Sequence, residues 1–212
     1  MSENASSAEN QQGSCLMFNK VDPSETTRRA PISRKAIRAY FLGALHDGTF
    51  NKNKRHRISQ KGTEWLILLK KLLNDLGYNA WMYKEGKERD VYVLETLADF
   101  LDFHFDPLQF SSRIEKICYI RGFFDAEGGI PRNANDRFYI QLMQSDIDKI
   151  EKLKYMLTEL GIETGVIHNP SKKRDPNHWR IFVRANSYTK FISVIGSWHP
   201  RKVRTLRERV KI

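Results

Sequence analysis

The chain has 212 residues, 40% of them hydrophobic and 29% charged, with a net charge of +11. That is the composition of a globular protein with enough core to fold without covalent staples, as one large domain or two small ones. No run of about 18 apolar residues exists, so no membrane span is expected, nor a membrane partner; "WLILLKKLL" is interrupted by Lys70 and Lys71. Two cysteines, Cys15 and Cys118, cannot form a disulfide framework, and with six histidines they show no zinc spacing. No glycine loop of the nucleotide-binding kinds occurs.

The start, "MSENASSAENQQGS", is polar and acidic. It has neither the basic and apolar regions of a secretory signal nor the arginines of a transit peptide. Residues 1–30 are expected to be a disordered tail, and the protein cytoplasmic or in an organellar matrix, not secreted. The first 27 residues set Glu3, Glu9, Asp22 and Glu25 against Lys20, a net −3 that leaves +14 on residues 28–212. Such an excess favours a polyanionic partner, foremost nucleic acid.

After the tail the elements come twice in the same order. Ser33 can cap a helix over 34–46, which Gly48 stops. Strands follow at 49–53 and 56–60, where Arg55, Arg57 and Ser59 alternate with Ile58. Trp65, Leu68, Leu69, Leu72, Leu73 and Leu76 then mark one face of an amphipathic helix that ends at Gly77. Two strands flank "KEGKE", and a third helix is predicted over 95–104. The second copy begins with "YIRGFFDAEGGI" and continues with a helix striped by Ile147, Ile150, Leu153, Leu157 and Leu160, stopped at Gly161. Gly43 matches Gly122, Gln60 matches Gln144, and Gly77 matches Gly161.

The expected fold is α+β, two pseudo-symmetric αββαββα repeats at 31–108 and 109–200, followed by a basic tail at 201–212. Each repeat would carry an antiparallel four-stranded sheet with one wet, basic face. A β-ribbon of that kind can read base edges in the DNA major groove. Alternation nominates Asn51, Asn53, Arg55, Arg57, Lys84, Asn133, Arg137, Tyr139, Gln141, His168 and Arg180 as DNA contacts, and the C-terminal Arg201 and Lys202 as phosphate contacts.

The first helix of each copy carries a glycine, Gly43 or Gly122, that would let two backbones pack closely. Packed along a pseudo-twofold axis, the helices would bring Asp47 and Glu127 together at the floor of the basic groove. Paired carboxylates beside phosphates bind divalent cations, and such ions serve phosphodiester hydrolysis. Acids at helix C-termini otherwise oppose the macrodipole.

"IRGFFDAEG", 120–128, resembles the nine-residue signature of the LAGLIDADG homing endonucleases, and "FLGALHDG", 41–48, resembles a second copy one residue short. The resemblance covers about 31–200 and points to the single-chain, two-repeat branch. It implies a saddle-shaped monomer that uses Mg²⁺, two or three ions with Mn²⁺ as a substitute, to cut both strands of a long asymmetric duplex. With the gap after His46, it implies Asp47 and Glu127 as metal ligands, joined by the backbone carbonyls of His46 and Ala126. It places Gln60 and Gln144 near the reacting centre; both also read as ordinary polar strand ends. Two rivals on the same fold are a maturase binding intron RNA and a DNA-binding regulator that does not cleave.

Overall fold

The computed structural model describes residues 32–133 and 135–210. The expected N-terminal tail and Cys15 lie outside them. The first repeat contains α1 (Arg34–Ala44), a 3₁₀ turn (Leu45–Asp47), β1 (Gly48–Phe50), β2 (His56–Lys61), α2 (Glu64–Asp75), β3 (Ala80–Lys84), β4 (Val91–Thr96) and a 3₁₀ turn (Pro107–Gln109). The second contains α3 (Arg113–Glu127), β5 (Gly128–Gly129), β6 (Gln141–Gln144), α4 (Ile147–Glu159), β7 (Trp179–Phe182), a 3₁₀ turn (Ala185–Ser187) and α5 (Tyr188–Val194). The chain continues into α6 (Pro200–Arg209).

Local chemistry sets these limits. Ser33 accepts from the Ala36 N–H and opens α1; Asp146 accepts from Asp148 N–H and opens α4. The apolar stripe of α2 is buried through Trp65, Leu69, Leu72 and Leu73. The helix predicted over 95–104 does not form. Thr96 Oγ1 accepts from Ala98 N–H, Asp102 Oδ1 from His104 N–H, and Asp106 Oδ1 from Leu108 N–H. These short side-chain-to-backbone bonds compete with the helical ladder and turn the segment into successive bends.

The first sheet is antiparallel with order β1-β2-β4-β3. The second has order β5-β6-β7, and its fourth strand is reduced to two isolated bridges, Thr164 to Val183 and His168 to Arg180. The basic C-terminal segment forms α6, which buries Lys202 and Leu206 against the second repeat.

Helices α1 and α3 pack against each other along their length at the centre of the molecule. A Cβ added at Gly43 would collide with the Tyr119 carbonyl, and one at Gly122 with the Tyr40 carbonyl. Only glycine allows two helix backbones that close. Each repeat has its own apolar core, but the cores exchange members: Leu42 of α1 lies in the second, while Cys118 and Trp198 lie in the first.

Candidate active site and nucleic-acid interface

The ends of α1 and α3 are bridged crosswise. The Tyr40 hydroxyl donates to Asp125 Oδ2 at 2.7 Å, and the Tyr119 hydroxyl lies 2.7 Å from His46 Nε2. Asp125 stands six positions after Tyr119, and His46 six after Tyr40, so the two bridges are pseudo-symmetric images. Position His46 therefore corresponds to Asp125. The second motif then runs two residues to Glu127, the first only one to Asp47.

A 3₁₀ turn stands where the first motif is one residue short. Leu45–Asp47 is a 3₁₀ turn, whereas α3 stays α-helical to Glu127. At about 2.0 Å per residue, three 3₁₀ residues advance the backbone about 6 Å, as far as four α residues at about 1.5 Å. Each motif passes directly into a strand, β1 at Gly48 and β5 at Gly128. Glu127 and Ala126 are half-buried.

Asp125 is 2% exposed and braces the site. Besides Tyr40 it accepts from the Ser197 hydroxyl, from Trp198 N–H at 2.8 Å and from His199 N–H at 3.1 Å. Trp65 Nε1–H donates to the Tyr40 oxygen at 2.8 Å and extends the chain into α2. Burial pushes the Asp125 carboxyl up, against the pull of Lys202, Ser197, Tyr40 and Trp198. Burial likewise raises the Tyr40 hydroxyl well above its ordinary value, with the Asp125 charge adding to it. His46 is lowered to about 3 by burial and by the Lys149 charge. Lys149 Nζ sits 3.5 Å from His46 Nδ1, which leaves the neutral ring's proton on Nε2, facing Tyr119.

Lys202, nominated as a phosphate contact, is corrected by its position: it is 2% exposed. Its ammonium donates to the carbonyls of Phe124, of Asp125 at 3.0 Å and of Gly128 at 2.6 Å. It places a cation on the C-terminal carbonyls of α3, where the macrodipole is negative and where Glu127 adds a charge of the same sign.

Gln60 and Gln144 are not equivalent in their partners. The Gln60 amide lies 2.6 Å from His199 Nε2. His199 Nδ1 accepts from Arg201 N–H at 3.2 Å, and burial with the Lys202 and Arg201 charges lowers its pKa to about 3. The neutral ring therefore carries its proton on Nε2 and donates to the Gln60 amide oxygen. Gln144 instead accepts from its own neighbour, Ser145 N–H at 2.7 Å and Ser145 Oγ–H at 2.9 Å. His199, stacked on Trp65, was not nominated from sequence; its only sequence signal is its place in "WHPRK".

On the wet face of the first sheet, pairing aligns Arg57 with Glu95 and Trp81, and Ser59 with Val93 and Tyr83. Lys84 shares the opposite face with Met82, Leu94 and Ile58, so Trp81 and Tyr83 stand where Lys84 was expected. Asn51 holds the β1–β2 turn, its Oδ1 accepting from Asn53 N–H and Arg55 N–H; Asn53 is exposed in that turn. On the second sheet, Gln141, His168 and Arg180 share a face with Phe182. The His168 ring stacks on Phe182, the Arg180 guanidinium lies 5.6 Å from that ring, and Tyr139 meets it edge-on. Asn133 and Arg137 are exposed in the loop before β6, and Arg201 is exposed beside Gln60.

Comparison with known proteins agrees with this geometry. Residues 115–196 match the family model of the LAGLIDADG-like domain. The homing endonuclease I-ApeI of Aeropyrum pernix is 26% identical over 194 residues, covering 80% of this chain and 85% of the relative. Among solved structures, I-DmoI in complex with DNA and Mn superposes with a TM-score of 0.58 at 20% identity, over 77% of this chain and 98% of its own. Full-length DUF199/WhiA from Thermatoga maritima gives 0.62 at 17% identity, over 87% and 64%. Paired glycine-bearing helices, crosswise Tyr bridges and two antiparallel sheets thus give this chain the LAGLIDADG homing-endonuclease fold, with a LAGLIDADG-like domain at residues 115–196.

Proposed function

We propose that the chain is a site-specific double-strand DNA endonuclease, acting as a monomer on a long asymmetric target and hydrolysing phosphodiesters with divalent metal. The observation that carries this reading is the close packing of α1 and α3 through Gly43 and Gly122, with each motif ending in an acid immediately before a strand.

The donors are the carboxylates of Asp47 and Glu127 and the carbonyls of His46 and Ala126. All are oxygens, the set a hard cation such as Mg²⁺ takes. Among the described residues no group of three His, Cys, Asp or Glu side chains could hold a metal alone. Mg²⁺ uses one or two carboxylates together with substrate phosphates rather than a protein cage. When bound, such ions make a water nucleophilic at neutral pH and stabilise the leaving oxygen. Gln60 is fixed by His199 on one side of the site. Asp125, Tyr40 and Lys202 keep the end of α3 rigid without touching the substrate. Arginines on both wet faces supply the contacts that hold and read the duplex.

The test is selection from a randomised duplex library in Mg²⁺, and in parallel in Ca²⁺, with cut ends and bound molecules both sequenced. A long motif with cut ends only in Mg²⁺ is expected. Asp47→Asn and Glu127→Gln should abolish cutting and leave binding intact; a double variant that still cuts overturns the site. Bound motifs with no cut ends would move the chain to the regulator reading, and selection of intron RNA alone to the maturase reading.

A further inference from the structure

Glu95 is an acid on a surface otherwise built for polyanions, and it is 5% exposed. Four side chains converge on it. Arg55 Nη1 meets Oε2 at 3.0 Å, Arg57 Nε meets Oε1 at 3.2 Å, Tyr83 O–H donates to Oε1 at 2.9 Å, and Asn51 Nδ2–H donates to Oε1 at 3.0 Å. Burial pushes the Glu95 carboxyl up, but the Arg55 and Tyr83 bonds and the two guanidinium charges outweigh it and hold it below the ordinary carboxylate range. The group is ionised and fully partnered.

The clamp treats its two arginines differently. Arg57 is held by Glu85 through Nη2 at 3.1 Å, and its Nε lies within ion-pair distance of Glu95 without a hydrogen bond there. Arg55 is held only through Nη1, and its guanidinium lies 5.1 Å from the Trp81 ring centre, which fixes its plane. Its Nε and Nη2, the adjacent pair on the outer edge, make no hydrogen bond among the described residues. Two parallel N–H donors in a fixed plane match the O6 and N7 acceptors of guanine in the major groove.

We infer that Glu95 is a specificity-determining positioning residue, which aims the outer edge of Arg55 at one guanine of the half-site facing the first sheet. An arginine free to swing would bind phosphates anywhere along a duplex. Held by Glu95 and Trp81, it has given up part of that non-specific attraction for one geometry. The inference rests on the DNA-binding half of the function proposed above, and not on cleavage.

Binding selection in Ca²⁺ with full-length protein tests it without any cutting. The wild type should prefer one guanine in the half-site on the first sheet by about 10-fold or more, the discrimination of a bidentate arginine pair. Glu95→Gln keeps size and an acceptor for Tyr83 but removes the charge. It should reduce that preference to about 2-fold, leave the profile of the other half-site unchanged, and tighten binding to unrelated duplex. Arg55→Lys, at a partly exposed position that tolerates the change, should lose the same preference without the gain in non-specific binding.

A purely structural Glu95 would give another pattern. Glu95→Gln would melt earlier and bind every sequence more weakly with an unaltered profile, and that overturns the inference. So does an Arg55→Lys profile identical to the wild type. Normal cleavage with no guanine preference in that half-site would sink the inference alone. Failure to enrich any duplex would sink the DNA reading with it.

Discussion

Tyr40 of α1 donates its hydroxyl proton to Asp125 of α3, and 79 positions later Tyr119 of α3 meets His46 at the end of α1. The same tyrosine thus serves a carboxylate in one bridge and a neutral imidazole in the other. Removing the two hydroxyls should not cost the same. Tyr40→Phe deprives a buried carboxylate of a partner and should destabilise by about 2 kcal/mol, Tyr119→Phe by about 1 kcal/mol. Urea unfolding of both variants checks the order; a larger loss for Tyr119→Phe contradicts the assignment of Asp125 as the buried brace.

The crossing of α1 and α3 leaves no room for a methyl group. Gly43→Ala or Gly122→Ala forces backbone apart rather than a flexible side chain. Either should destabilise by about 3 kcal/mol or more, at the upper end for overpacking. A melting temperature within about 2 °C of the wild type would show that the helices sit farther apart.

His199 supports Gln60 from below and has no counterpart at Gln144. If Gln60 serves one scissile phosphate, His199→Ala should slow one strand by about 10-fold or more, as for other supporting hydrogen bonds to reactive groups. Nicked plasmid should then accumulate, always nicked on the same strand. Equal slowing of both strands would reduce His199 to a packing residue.

His46 and His199 both have pKa values lowered to about 3, chiefly by burial. In the unfolded chain each takes up a proton near about 6.5. Between these values the unfolded state binds more protons, so stability falls as pH drops from about 6.5 towards about 3. Urea midpoints followed across that window should decline. Replacing both histidines with glutamine should flatten the decline, and an unchanged slope would place the titration elsewhere.

Much of the fold was legible because each helix announces itself locally. Ser33, the stripe from Trp65 to Leu76 and the repeated glycines are short-range signals that depend on no distant partner. The segment 95–104 misled because Leu94, Leu97, Ala98 and Leu101 have helical spacing, while Thr96, Asp102 and Asp106 offered the backbone competing bonds. Lys202 misled because a basic cluster reads as surface; its burial depends on carbonyls 74 to 78 positions away. Lys84 lost to Trp81 and Tyr83 by one position of register, which in a strand exchanges the faces. The crosswise bridges span 85 and 73 positions. The matching tyrosines of the repeat were their only trace in the sequence.

The turn at Leu45–Asp47 separates two kinds of length. Counted in letters, the first motif has suffered a deletion, and any comparison by position scores it as damaged. Along the helix axis, three 3₁₀ residues at about 2.0 Å span about as far as four α residues at about 1.5 Å. Restoring a residue after His46 should therefore be absorbed by unwinding the turn to α-helix rather than by pushing the acid forward.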